Sequence, residues 1–337
     1  MPSAEPAVPP GEPGGIAAGP GQFTAVAEPY RAELLAHCYR LLGSVQDAED
    51  LVQETYVRAW RGFGQFEGRS SVRRWLYTIA TRTCLTALAG RPRRPLPSGL
   101  GAPAEDHRVA MPAREPSVAW LEPAPDALFG GDPAAIVARR AGVRLAFIAA
   151  LQVLPARQRA VLTLRDGLGF RAAEVADMLG VSPAAVDSAL RRARARLAAT
   201  GPAADDLAEP DDPRQLDLLN RYVDAFTRAD TGALVALLRA DAELEMPPIP
   251  LWFSGRPAVI GFLGRRVMRP GRWQLVPARA NGQLAAVVYR HTAGGRQPYG
   301  VQVLTITGDR IARITSFNDP ALVRHWPEAA DDRRRTL

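Results

Sequence analysis

Lysine is absent from this 337-residue chain; all 42 basic residues are arginine. Genomic base composition accounts for that, and so does a use for the planar guanidinium fork in phosphate contact. Cysteine is nearly absent as well. Cys38 and Cys84 each stand alone in an apolar helical pattern with no second thiol nearby, which excludes a disulfide scaffold and a cysteine-based zinc site and fits a reducing compartment. No run approaches the roughly 20 consecutive apolar residues of a membrane span. Residues 1–22 lack both the basic start and the apolar stretch of an export signal, so the expectation is a cytoplasmic protein. Glycine-rich phosphate loops, metal-ligand clusters and nucleophile elbows are also missing. No cofactor, no metal and no enzymatic activity are therefore expected.

What is present is enough hydrophobic residue, 47%, for two or three globular domains. The net charge of +7 is unevenly spread. Residues 24–90 hold 8 arginines against 7 acids, 139–200 hold 11 against 4, and 214–326 hold 15 against 8, while 201–213 hold five acids and no arginine. This divides the chain into a disordered tail (1–22), a first domain (23–90), a Pro/Gly-rich linker read as an extended connector (91–138), a second domain (139–200), an acidic linker (201–213), a third domain (214–326) and a tail (327–337).

Apolar residues of the first domain recur at helical spacing. Leu34, Leu35, Cys38, Leu41 and Leu42 form one stripe, which Gly43 ends. Ala48, Leu51, Val52, Thr55, Tyr56, Ala59 and Trp60 form the inward side of a second helix. Its other side is acidic: Asp47, Glu49, Asp50 and Glu54, with Gln53 beside them. That is either a solvated face or a surface for a protein partner. A third helix turns Val72, Trp75, Leu76, Ile79, Ala80 and Thr83 inward and exposes Arg73, Arg74, Tyr77 and Arg82 beside a loop containing Phe63 and Phe66. Arginine mixed with aromatics suits single-stranded bases; core packing explains the aromatics equally well.

Helices resume near Ala134, late in the linker, and in the second domain two short helices, Ala172–Leu179 and Pro183–Ala198, read as a helix-turn-helix. Gly180 supplies the turn, and Ser182 and Pro183 define the second start. With Val186, Leu190, Ala193 and Leu197 buried, the opposite face carries Ala184, Ser188, Arg191 and Arg192, flanked by Asp187 and Arg194. Small residues in front let such a helix approach base edges, with arginines behind for phosphate or guanine. The alternative is a solvated basic helix. The third domain pairs helices Leu216–Arg228 and Thr231–Leu238 with alternating strands Ala242–Met246, Trp273–Arg279, Leu284–His291, Gly300–Thr307 and Arg310–Phe317. Gly308–Asp309 marks a hairpin.

DAEDLVQETYVRAW (Asp47–Trp60) with FEGRSSVRRWLYTIATRTCLTAL (Phe66–Leu88) resembles region 2 of the sigma-70 family in its compact extracytoplasmic-function group. LPARQRAVLTLRDGLGFRAAEVADMLGVSPAAVDSALRRARARL (Leu154–Leu197) resembles region 4. The resemblance implies that Asp47, Asp50, Gln53 and Glu54 dock on the β′ clamp helices of core RNA polymerase, whose β subunit is also engaged. It implies that Phe66, Arg69, Ser70, Arg73, Arg74 and Tyr77 take the minus-ten strand, and that Ser182, Ala184, Asp187, Ser188, Arg191, Arg192 and Arg194 face the minus-thirty-five promoter DNA. Many relatives carry basic residues where this chain has Asp187 and Ala189, which shifts the weight to Arg191 and Arg192.

Tyr222–Pro248, Trp252–Leu263 and Ile314–Leu322 resemble the SnoaL-like, nuclear-transport-factor-type cone fold. WLEPAPD (Trp120–Asp126) resembles a linker motif of sigma factors that carry this extension. The expected fold is thus multidomain: two all-α sigma domains, a helical bundle and a helix-turn-helix, followed by an α+β cone that packs on them and modulates their activity. Trp252, Tyr289, His291 and Phe317 would line a pocket there, for an unknown small ligand. The competing functions are a ligand-sensing or enzymatic cone domain with a DNA-binding adaptor, and a conventional helix-turn-helix repressor.

Overall fold

The computed structural model describes residues 20–129, 144–200 and 212–330; the tail ahead of residue 20, the expected helix start near Ala134 and most of the acidic linker lie outside these. Four helices open the chain: α1 (Pro20–Ala27), α2 (Arg31–Leu42), α3 (Val45–Phe63) and α4 (Val72–Leu88). α2 stops at Gly43, whose φ of 70° is open to glycine at little cost. α3 starts at Ser44, whose hydroxyl accepts from the Asp47 amide at 3.2 Å. Cys38 and Cys84 are both fully buried free thiols. They meet, contrary to the sequence expectation, because α2 and α4 pack side by side; the contact with Cys38, then burial, pushes the Cys84 thiol up, which keeps it protonated and unreactive.

Region 91–129 is irregular yet firmly held, so it is a packed strap and not a free spacer. Leu96, Trp120, Leu121, Ala124 and Phe129 are buried. Glu122 places its carboxylate at the start of α3, accepting from the Val45 amide at 3.1 Å, where an anion complements the helix dipole. The second helical unit comprises α5 (Leu145–Gln152), α6 (Ala156–Leu162), α7 (Ala172–Leu179) and α8 (Pro183–Thr200). Gly180 takes the left-handed conformation at the α7–α8 turn, and the Ser182 hydroxyl accepts from the Ala185 amide at 3.2 Å.

The C-terminal unit sets α9 (Pro213–Thr227), α10 (Thr231–Leu237) and α11 (Arg256–Phe262) against six strands: β1 (Leu238–Glu245), β2 (Trp252–Ser254), β3 (Trp273–Ala280), β4 (Gln283–Thr292), β5 (Gly295–Thr307) and β6 (Arg310–Phe317). Their order is β2-β1-β6-β5-β4-β3, antiparallel except for β1–β6. A last turn of helix, α12 (Pro327–Ala330), follows; Trp326 and Ala329 are buried, so the expected tail begins as packed structure. Side chains alternate across the sheet. Leu275, Leu284, Ala286, Val288, Leu304 and Ile314 pack on the three helices. Val276, Ala285, Val287, Val303 and Phe317 on the other face join the same apolar cluster as α2–α8. One hydrophobic core therefore runs from the helical units into the sheet.

The seam is polar where the β3–β4 hairpin tip enters it. Asn281 and Gly282 both have positive φ, 57° and 64°, the backbone that an Asn-Gly hairpin turn needs. Asn281, fully buried, exchanges hydrogen bonds with the Ala124 main chain at 2.8 and 3.0 Å and donates to the Tyr39 hydroxyl at 2.8 Å. The Gly282 amide donates to Asp126 at 2.7 Å, and the Leu145 amide to Gln283 at 3.0 Å. WLEPAPD is thus the joint at which all three units meet.

Candidate promoter and polymerase interface

Helix α8 buries Val186, Leu190 and Ala193 and leaves Ser182, Ala184, Asp187, Arg191, Arg192 and Arg194 exposed, with Ser188 half-buried. Arg192 donates to Ser188 at 2.7 Å. Arg194 is held by both oxygens of Asp166 at 2.7 and 2.9 Å. Arg191 makes no hydrogen bond or ion pair among the described residues. The front of this helix is small and open, and one arginine is spent within the protein.

On α3, Asp50 and Gln53 are exposed and Glu54 forms an i,i+4 pair with Arg58 at 2.7 Å. Asp47 stands apart: its carboxylate takes Arg91 at 3.1 Å and Arg94 at 2.8 Å. Trp60, expected inward, is 51% exposed. It lies at the margin of the buried stripe, one turn past half-buried Tyr56, and with Val57 (43% exposed) it gives the acidic face an apolar edge.

The third set is placed differently from expectation. Tyr77 is fully buried, not exposed; its hydroxyl lies 3.2 Å from Glu33, and burial, then Glu33, pushes its pKa upward. Arg73 forks onto Glu33 at 3.1 Å and lies over the Phe170 ring. Arg74 pairs with Asp177 at 2.7 Å. Arg82 donates to the Met178 and Asp177 carbonyls at 2.8 and 3.3 Å, the C-terminal end of α7, where a cation is favourable. The Tyr77 and Phe170 rings meet edge-on at 5.5 Å. Two neighbours cause this: α2 of the same unit brings Glu33 and His37 to Arg73 and Tyr77, and α7 and Phe170 of the second unit lie on α4 as well. Beside this contact, the loop before α4 remains open. Phe66 stacks near Trp75, 4.9 Å between rings, and with Arg69 and Ser70 they line a shallow depression of about 300 Å³. Trp75, expected to face inward, is half-buried: it packs against the core and also borders this depression.

In the cone domain the expected pocket set does not converge. Val288, Trp273, Tyr299, Gln302 and Ser316 line the cavity, with Met111 of the strap at its rim. Tyr289 and Phe317 sit on the opposite sheet face, because strand alternation sends Val287 and Tyr289 away from Val288. The Arg296 guanidinium lies 3.5 Å above the Tyr289 ring. His291 is exposed, and Trp252 donates its indole N–H to the Gly101 carbonyl at 2.9 Å. The cavity itself leaves about 30 Å³, on the order of one water molecule. Among the described residues there is no group of three or more potential metal ligands, and no helix is long and apolar enough to cross a membrane.

Three family models match the chain: sigma-70 region 2 over residues 26–94, sigma-70 region 4 over 144–197, and a SnoaL-like domain over 219–314. The ECF RNA polymerase sigma factor SigG of Mycobacterium tuberculosis is 49% identical over 306 residues, 90% of this chain and 82% of that protein. SigJ of the same organism, also an ECF RNA polymerase sigma factor, is 31% identical over 323 residues, 91% of each. The crystal structure of SigJ superposes with a TM-score of 0.60 at 25% identity, covering 90% of this chain and 99% of that one.

Proposed function

Since this chain belongs to the extracytoplasmic-function RNA polymerase sigma factors of the sigma-70 family, we propose a division of labour among its residues and a closed resting state. The protein binds core RNA polymerase and promoter DNA. Asp50, Gln53 and Glu54 dock on the β′ clamp, with Val57 and Trp60 as an apolar border; Asp47 joins them only when Arg91 and Arg94 let go. Arg191 and Arg192 contact the minus-thirty-five major groove. Phe66, Arg69, Ser70 and Trp75 hold a base of the minus-ten strand, and Arg73, Arg74 and Tyr77 extend that contact.

The observation that supports a resting state is the cover on α4. Asp177 of region 4 occupies the Arg74 guanidinium that a DNA phosphate would take, and Phe170 of region 4 covers Tyr77; the Arg73–Glu33 pair lies within region 2. Opening requires region 4 to leave region 2. The cone domain modulates that step through its grip on the strap: Asn281 at Ala124, and Glu245 accepting from the Ser98 amide and hydroxyl at 3.3 and 3.1 Å. The chain carries no catalytic step of its own and acts where polymerase acts, in the cytoplasm.

Run-off transcription with purified bacterial core polymerase on a pool of genomic fragments tests this. Discrete transcripts that depend on the protein, and that rise when Phe170→Ala loosens the cover, are expected. Wild-type transcription that Phe170→Ala leaves unchanged sinks the resting state.

A further inference from the structure

Region 2 ends, the strap returns and region 4 begins around one cavity of about 220 Å³, on the order of seven water volumes. Its wall takes Leu88 and Arg91–Arg94 from the end of region 2, where the strap begins, Ala119 from farther along the strap, and Gln152, Leu154, Pro155, Ala156 and Arg159 from region 4. Four arginines line it, Arg91, Arg93, Arg94 and Arg159, against a single carboxylate, Asp47. Asp47 is already shared by Arg91 and Arg94. Arg93 is exposed and has no hydrogen bond or ion pair among the described residues.

Arg159 is 4% exposed. Its terminal nitrogens donate to the Leu41, Gln152 and Leu154 carbonyls and to the Gln152 side chain, but among the described residues no carboxylate pairs with it and its Nε has no acceptor. Gln152, 3% exposed, likewise has no acceptor for Nε2. Buried donors are costly to leave unpaired. Burial, and Arg93 after it, pulls the Arg159 guanidinium down to about 10. The site is short of negative charge and of acceptor atoms at once.

We propose that this cavity binds a small phosphate-bearing anion, inorganic phosphate, pyrophosphate or a phosphorylated metabolite, held by Arg91 and Arg93 from region 2 and by Arg159 and Gln152 from region 4. The donors come from separate segments rather than one plane, which suits a tetrahedral oxyanion better than a flat carboxylate. Bound there, the anion bridges region 2 to region 4 and holds the cover on α4 in place. That consequence rests on the closed-state reading; binding itself does not.

The test is calorimetric titration of the full chain with pyrophosphate, against sodium chloride at matched ionic strength and against a short duplex without promoter sequence. Saturable binding of pyrophosphate is expected, weakened about tenfold or more by Arg93→Gln through loss of a charge-assisted contact, and also by Arg159→Lys, which keeps the charge and loses the fork. No binding beyond the chloride control, equal binding by Arg93→Gln, or binding of duplex alone overturns the site. Hydrogen exchange on the same samples separates the two readings: slower exchange of α4 with pyrophosphate supports both, whereas binding that leaves α4 exchange unchanged supports the site and overturns its role in holding the cover.

Discussion

Helix α8 turns Arg191 and Arg192 to solvent, whereas α4 turns Arg73, Arg74 and Tyr77 into the body of the protein. Both carry the residue types that contact nucleic acid, yet only one is presented. α8 is the last helix of its unit and packs on one side alone; α4 is flanked by α2 on one side and by α7 on the other. Glu33 of α2 and Asp177 of α7 pair with the α4 arginines within the protein. A helix face rich in arginine is therefore readily covered by the protein's own acids, so its exposure depends on what packs against it and not on residue type alone.

Three measurements break or sharpen this contrast. The largest effect is expected from Phe170→Ala, which removes a 6% exposed ring from between α7 and α4 at a cost of about 3–5 kcal/mol. Amide exchange in α4 should accelerate far more than in the N-terminal turns of α8; equal acceleration in both would mean that Phe170 supports region 4 itself rather than the contact. Next comes acid. His37 is wholly buried, its Nε2 2.9 Å from the Thr81 hydroxyl of α4 and its ring 5.0 Å from Tyr77. Burial first, then Arg40 and Arg73, lowers its pKa from 6.5 to about 3. Between those values the unfolded chain binds a proton that the folded one refuses, so stability falls as pH drops from 6.5 toward 3. The slope is at most about 1.4 kcal/mol per pH unit, and His37→Gln should flatten it in urea titrations across that range. The smallest effect is Arg191→Ala, about 1–3 kcal/mol in duplex affinity if it reads a base. A uniform loss over all sequences, with a shallower salt dependence, would make it a phosphate contact.

Much of this was legible in the sequence. The periodicity of α2, α3 and α4, the cap at Ser44, the glycine turn at Gly180 and the Ser182 start of α8 are local signals, and the helices follow them. Several misreadings depend on what docks from far away. Tyr77 beside three arginines looks like an exposed aromatic, but α2, some forty residues earlier, and Phe170, some ninety residues later, cover it. Cys38 and Cys84 lie on different helices, so their meeting has no sequence mark. Alternation in β4 shows that Val287 and Tyr289 share a face but not which face meets the helices, and that choice moved the pocket to Val288. Trp60 sits at the border of an amphipathic stripe, where periodicity is least decisive. Asn281–Gly282 was within reach, being the strongest short hairpin signal in the chain, but its burial was not.

That turn also governs how the molecule comes apart. Two strands carry Asn281 into the seam, where its main chain and side chain complete the hydrogen bonding of Ala124 and Tyr39. Melting either partner strands polar groups of the other in a dry interior. The cone is consequently not a bead threaded onto a sigma factor; it contributes to the same cooperative unit, and exchanging it for a relative's cone would require the tip, the strap and Tyr39 to be exchanged together.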